Sequence, residues 1–461
     1  PSEAKHRLKT RRWLLYTMRW LCRNVTYSTS GTRLADAAGA RLSSSRGRML
    51  SLEQLSRMVS DHLGLSSCDN VPYSKKWTIA ESPHGGRGLF ATEDLSNGEV
   101  LYVDRSLVAG PRAGMTVAHG CTVCSKLQSE TFIKCHKCAL SLCSTECQNN
   151  EVHYDDCKII SNWSNKVPIE EIDDTQMSRA LAAIRALLLD DDQKRLMAYL
   201  EAHMLPQHGS EIRELIKYFE IPDDELDLMT HASCTLDTNA YEVAIPFGAN
   251  EISRRGLFPV ASLMNHNCVP NTRLTYNKDS QMVVKTVKPI RAGTEIYASY
   301  TGLLWGTPAR RVHLYKTKHF LCECERCADP TERGTLLAAL RCFSAECPGS
   351  LLPAEPLKAS GPWRCLQCAM TVPGSSVCAV QKALGTMMSV LDFDNVDELE
   401  HFLLSRIHKF IPKTNQIMVD LQCRLIWYFG ESHGIQFHGK QRYNKASNLV
   451  NTSEPGAISI T

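Results

Sequence analysis

Between residues 77 and 110 short apolar runs alternate with glycine, as in WTIAES, GGRGLFAT and GEVLYVDRSLVAG. β-prone runs punctuated in this way predict short strands. From about residue 175 the spacing changes. TQMSRALAAIRALLLDDDQKRLMAYLEAHM repeats apolar residues every three or four positions, which predicts a helix opened by Thr175 as its cap. SEIRELIKYFEI predicts a second helix, capped by Ser210 and stopped near Pro222. Strand-like sequence returns over residues 240–300 in AYEVAIPFG, TRLTYN, QMVVKTVKPI and GTEIYASY. The NKDS between the middle two predicts a hairpin. Helical spacing resumes from about residue 376 in CAVQKALGTMMSVL, VDELEHFLLSRIHKF and QIMVDLQCRLIWYF, and dissolves into a polar tail after Phe429. No repeat spans whole domains.

Composition narrows the class. The 461 residues are 43% hydrophobic and 22% charged, enough for several domains with a substantial core. A net charge of +3 is too small to argue for nucleic acid, and no apolar run reaches the roughly 20 residues of a membrane span. The first 60 or so residues are rich in Arg and Ser and poor in acids. They read as a basic, disordered extension over 1–70, with a composition that also suits a mitochondrial presequence. The chain has no initial Met, so it reads as a fragment or as starting at Met49.

Cysteine is the outlier, with 20 residues. The cysteines bunch as C-x2-C and C-x-C-x2-C, a spacing that favours zinc in a reducing compartment over disulfides. Cys121, Cys124, Cys135, Cys138, Cys143, Cys147, His153 and Cys157 form one group of eight ligands, enough for two closed tetrahedral sites. Cys342, Cys347, Cys365 and Cys368 form a ribbon-type set. Its bland alternative is reduced, buried cysteine.

Cys322, Cys324 and Cys327 in FLCECERC are one ligand short. Three groups use fourteen cysteines and leave Cys22, Cys68, Cys234, Cys268, Cys378 and Cys423. Cys268 lies in NHNCVPN, a polar turn at the edge of the apolar run GLFPVASLM. Taken alone it reads equally as a nucleophile, a metal ligand, half a disulfide or a buried small hydrophobe. Among the six, only Cys268 has a turn-forming context with Asn265 and His266 beside it, so it is expected to complete the third set.

Four motifs in order make the chain resemble the SET-and-MYND (SMYD) protein-lysine methyltransferases, most closely their arthropod SmydA-like branch. They are GGRGLFA, NHNCVPN, GTEIYASY and FLCECERC, with the cysteine module between the first two. The likeness runs from about Trp77 to Cys327.

The resemblance implies an α+β fold in which a SET-domain β-fold carries an inserted MYND zinc finger, a helical insertion, a post-SET zinc site, a zinc ribbon and a short helical C-terminal region. The implied boundaries are an extension over 1–70, the first SET part over 71–120, the MYND finger over 121–157 and the helical insertion over 158–230. The SET core follows over 231–302, the post-SET segment over 303–330, the ribbon over 331–375 and a shortened C-terminal region over 376–461. Two MYND zincs would interleave, one on Cys121, Cys124, Cys143 and Cys147, the other on Cys135, Cys138, His153 and Cys157.

The resemblance also implies S-adenosylmethionine as cofactor. Gly86, Arg87 and Gly88 would let the backbone approach it. Asn239, Asn265 and His266 would contact it, Phe320 would stack on its adenine, and Tyr300 would border it as the catalytic residue. As plain alternatives, GGRG is a turn and Phe320 is core. Methyl transfer from a sulfonium releases a neutral leaving group, so no strong acid is needed. The acceptor lysine, with an ordinary pKa of about 10.4, must lose its proton, which a dry channel favours.

The implied function is methyl transfer to a histone or non-histone lysine by a monomer in nucleus or cytoplasm, with a proline-rich peptide as partner of the finger. The alternative is an inactive scaffold that recruits partners in transcriptional repression. No recognition helix for DNA stands out, and the cysteine module is only mildly basic. Two departures from the family pattern are Gly302, where an acidic residue is usual, and Asn267, where Ser is usual.

Overall fold

Fourteen strands lie among the described residues before residue 299. They are β1 (Trp77–Glu81), β2 (Arg87–Ala91), β3 (Val100–Asp104), β4 (Ala109–Pro111), β5 (Ile133–Lys134), β6 (Ser141–Leu142), β7 (Ser164–Asn165), β8 (Phe219–Glu220), β9 (Tyr241–Val243), β10 (Arg254–Gly256), β11 (Asn265–His266), β12 (Thr272–Tyr276), β13 (Met282–Thr286) and β14 (Glu295–Ala298). The structure is a computed structural model, and it describes residues 51–65, 75–111, 120–126, 132–204, 208–243, 254–393, 395–405 and 407–431. They divide into two units, one of residues 51–266 and 270–298, the other of 267–269 and 299–431.

Small sheets build the first unit. One has the order β1-β2-β14-β11, a second β4-β10-β9 and a third β12-β13-β3. Buried apolar side chains, among them Leu89, Leu101, Tyr102, Phe258, Val284 and Ile296, fill its core. Trp77 meets Tyr102 edge-on at 5.4 Å between ring centres. The hairpin forms as its sequence predicts: β12 pairs with β13 from Thr272↔Thr286 to Tyr276↔Met282. Asn277 closes the turn, its side-chain oxygen accepting from the Asp279 and Gln281 backbone. Strand β11 pairs in parallel with β14, setting Asn265 opposite Tyr297 and His266 opposite Ala298.

The helical stretch differs from its prediction in three places. Asp173, not Thr175, caps the helix Asp174–Ile184, its carboxylate accepting from the Thr175 backbone. A carboxylate at a helix start satisfies an orphan N–H and suits the helix dipole. The single long helix is interrupted, and a new one, Asp191–Ala198, starts at an Asp190/Gln193 capping box. Gly209, not Ser210, precedes the helix Ser210–Leu215, which gives way to β8 well before Pro222. The helix Asp223–Asn239 then follows.

The basic extension was expected to reach residue 70. Instead Leu52–His62 is a helix with a Ser51/Gln54 capping box, and it buries Leu55 and Val59. Residues 1–50 lie outside the described residues, as do Cys22, Cys68 and the polar tail from 432 onward.

The second unit contains the helix Thr307–Lys318 and an antiparallel sheet of β15 (Leu340–Arg341), β16 (Ser350–Pro353), β17 (Trp363–Cys365) and β18 (Thr371–Val372). The helices Gly374–Ser389, Val396–Ser405 and Gln416–Glu431 follow. Leu351, Trp363, Leu384, Met388, Leu403 and Leu421 share one core. The architecture is α+β.

Candidate cofactor and zinc sites

Fifteen of the described cysteines, with His153, gather into four tetrads: Cys121/Cys124/Cys143/Cys147, Cys135/Cys138/His153/Cys157, Cys268/Cys322/Cys324/Cys327 and Cys342/Cys347/Cys365/Cys368. Within each, all ligand atoms lie within 4.8 Å of one another. Zinc–sulfur bonds of about 2.3 Å in a tetrahedron require sulfurs about 3.8 Å apart. The sulfur separations include 3.4 Å for Cys124–Cys143, 3.9 Å for Cys135–Cys157, 3.5 Å for Cys268–Cys327 and 3.7 Å for Cys347–Cys365. Soft thiolates at this spacing fit zinc.

Local structure explains the first two tetrads. Each C-x2-C pair closes a tight turn, with Ser125 N–H donating to the Cys121 carbonyl and Ala139 N–H to that of Cys135. The chain crosses between the two sites through the β5–β6 hairpin, so the ligand sets interleave. Nδ1–H of His153 donates to the Gln148 carbonyl at 2.6 Å, which leaves Nε2, 3.5 Å from the Cys138 sulfur, for a metal. Arg185 ties this segment down. It binds Asp156 beside Cys157, at 2.7 Å, and the Ala109 and Thr122 carbonyls.

Cys268 stands with Cys322, Cys324 and Cys327 in the second unit, buried beside Leu314. That placement leaves metal ligand as its role among the four readings. Asn267 makes the turn, its side-chain oxygen accepting from Val269 N–H at 2.9 Å.

Of the candidate cofactor residues of the first unit, Gly86, Arg87, Gly88 and Asn265 meet at a short turn. Ser82 N–H donates to the Gly86 carbonyl and Gly85 N–H to that of Ser82, turning β1 into β2. The Asn265 amide nitrogen donates to the Arg87 carbonyl at 3.0 Å and to Oε1 of Glu295 at 2.6 Å. Gly88 has a neighbour that its sequence did not announce. A Cβ there would lie 2.2 Å from Oε1 of Glu295, so its missing side chain makes room for that carboxylate. The Arg87 guanidinium stacks on the Tyr199 ring at 4.2 Å and donates to the Tyr199 carbonyl, so the side chain is anchored to the helical insertion. Burial pushes its pKa down. Asn239 ends its helix with its amide nitrogen donating to the Glu201 carbonyl at 2.6 Å and to that of Thr235 at 2.9 Å.

Glu295 is the residue that sequence reasoning missed. It is buried, and its Oε2 accepts from Ser82 at 3.0 Å and from the Tyr297 hydroxyl at 2.9 Å. Burial, and then this carboxylate, raise the Tyr297 phenol above its usual range, so it stays a donor. The available signal was a charged residue inside the apolar strand GTEIYASY.

Tyr300 and Phe320 belong to the second unit. Tyr300 packs on the Cys268 cluster, with Lys318 Nζ 5.3 Å from its ring centre. Phe320 is 36% exposed, so it is not core.

The SET domain family matches residues 86–301. The SET domain-containing protein SmydA-8, isoform B, of Drosophila melanogaster is 32% identical over 387 residues, covering 82% of this chain and 85% of that protein. The chain belongs to the SmydA-like branch of the SMYD family. Beyond that branch, this SmydA-like protein is 29% identical over 267 residues to the N-lysine methyltransferase SMYD2 of Gallus gallus, over 53% of this chain and 58% of that one. It is 24% identical over 313 residues to the histone-lysine N-methyltransferase ASHR1 of Arabidopsis thaliana, over 59% and 60%.

Proposed function

We propose that this SmydA-like protein is an S-adenosylmethionine-dependent N-methyltransferase acting on the side-chain amine of a protein lysine. The observation that carries the reading is the acceptor character of the SET segment. Asn239 and Asn265 both spend their amide hydrogens on internal acceptors, which leaves their oxygens to receive a donor. A cofactor bearing an ammonium group is such a donor. The names of SMYD2 and ASHR1 point the same way.

S-adenosylmethionine, when bound, supplies an electrophilic methyl group on a sulfonium. The residues of this chain bind and align. Gly86 and Arg87 would offer backbone to the cofactor, Asn239 and Asn265 would accept from its amine, and His266 would contact it beside Asn265. The Tyr300 hydroxyl orients the acceptor amine, which must arrive neutral with its lone pair in line with the carbon–sulfur bond. Exclusion of water favours that neutral form.

The substrate is a histone or non-histone lysine, and the family's boundaries from the first SET part onward go with this reading, the finger over 121–157, while the extension ends before the helix Leu52–His62. A proline-rich peptide is the partner of that finger in this reading, and its helix Glu151–Ile160 exposes Val152 and Tyr154 on separate sides. No disulfide joins the described cysteines, in keeping with the nucleus or cytoplasm. No described helix is long and apolar enough to cross a membrane.

Calorimetry of the zinc-loaded protein with S-adenosylmethionine tests the reading. Binding is expected. Its absence would leave the scaffold function in its place.

A further inference from the structure

Glu295 is a carboxylate almost fully withdrawn from water, at 4% exposure, and the partners described above are neutral donors: Ser82, Tyr297 and Asn265. A buried carboxyl group is a costly way to stabilise a strand. The neighbourhood is shaped around it nonetheless. Gly88 leaves the space for Oε1, and Asn271 donates to the Glu295 carbonyl at 2.8 Å while its own oxygen accepts from Tyr297 N–H at 2.7 Å.

We propose that Glu295 is a positioning residue for the cofactor, acting through Asn265. The inference rests on the reading of this segment as an S-adenosylmethionine site. Both oxygens of the Glu295 side chain accept here, Oε1 from Asn265 and Oε2 from Ser82 and Tyr297, and the Arg87 carbonyl can only accept. Between them they take both Asn265 amide hydrogens, at 2.6 and 3.0 Å. Turning the amide over would press its oxygen against two acceptors and leave both unpaired. The amide therefore has one orientation, and its oxygen is the atom left for a ligand. An ammonium group, which only donates, fits that oxygen. An amide free to flip would present the ammonium with NH2 part of the time. Ser82 and Tyr297 occupy the second carboxylate oxygen and so hold the first in place.

The test is a double-mutant cycle on the full zinc-loaded chain: wild type, E295Q, N265A and E295Q/N265A, with E295L as the stronger variant. Calorimetry measures binding of S-adenosylmethionine and of 5′-methylthioadenosine, which keeps the adenosine and sulfur but lacks the amine. E295L is expected to weaken S-adenosylmethionine about tenfold or more and 5′-methylthioadenosine less than about twofold. E295Q keeps one acceptor and should fall between wild type and E295L. In the N265A background E295Q should add nothing. If E295L does not fold, the E295Q cycle decides alone. Equal weakening of both ligands, additive effects in the cycle, or unchanged S-adenosylmethionine binding would overturn the role of Glu295. A wild type that binds no S-adenosylmethionine would instead overturn the cofactor reading beneath it.

Discussion

Arg310, whose side chain is fully buried, directs its Nε hydrogen at the Cys268 sulfur, 3.2 Å away. Its other nitrogens reach the Cys327 sulfur at 3.6 Å, Glu332 at 2.8 Å and Thr307 at 2.8 Å. Four thiolates around a dication carry net negative charge, and this guanidinium offsets it where water cannot.

That arrangement makes Arg310 a support of the third zinc site. Arg310→Met should weaken zinc there by about 10–100-fold, the usual effect of losing a partner of a metal ligand. Chelator competition followed by native mass spectrometry should show one zinc fewer than in the wild type. Retention of all four zincs at unchanged affinity would show the contact to be incidental.

The four sites should also differ in how readily they exchange. Cys368 is exposed and Cys342 only half-buried, whereas Cys268 and Cys327 are buried. Under a chelator with an alkylating agent, the ribbon cysteines should be labelled first and the Cys268 set last. Simultaneous labelling of all four sets would contradict this order.

Gly302 departs from the family pattern for a steric reason. A Cβ at that position would lie 2.7 Å from Nε1 of Trp305, whose ring packs edge-on against His313 at 5.2 Å. Gly302→Asp, which restores the usual residue, should therefore destabilise the protein by about 1–3 kcal/mol. Adding Trp305→Ala should weaken that penalty. Chemical denaturation of the single and double variants checks it.

Buried Arg255 binds Glu211 and Asp237, each at 2.8 Å. Burial works to raise the Glu211 carboxyl, but Arg255 and the Ser233 hydroxyl outweigh it and hold the group below its ordinary 4.5. A lowered carboxyl contributes stability that is complete above the unfolded value and fades as pH falls through the folded one. Asp237, raised chiefly by burial, contributes the opposite slope. The stability difference between wild type and Glu211→Gln should thus be constant near neutrality and shrink below about pH 4.5. Arg255→Met should cost about 3–5 kcal/mol, because it leaves buried acids unpaired.

The legible part of this protein was the part written in spacing. C-x2-C turns set two ligands on one loop, so the ligand groups were legible in spacing and Cys268 by counting the cysteines left over, while the interleaving of the first two tetrads came from the family resemblance. The hairpin at Asn277 was equally local. Helix limits were less so. Thr175 looked like a cap because it precedes the apolar run, but Asp173, two residues earlier, carries the stronger acceptor. Least visible were contacts across long separations. Glu295 meets Asn265 and clears its space at Gly88 only after three strands have been brought together. The fit of Gly302 to Trp305, only three residues on, was hidden for another reason: it depends on a local packing that no periodicity encodes.

As proposed above, this chain moves a methyl group from S-adenosylmethionine to a protein lysine. The direct measurement is transfer of labelled methyl to an array of lysine peptides by the wild type and by Tyr300→Phe. Transfer by the wild type is expected, reduced about 100-fold or more in the variant. No transfer by the wild type to any peptide or protein lysine, or full transfer by Tyr300→Phe, would contradict it.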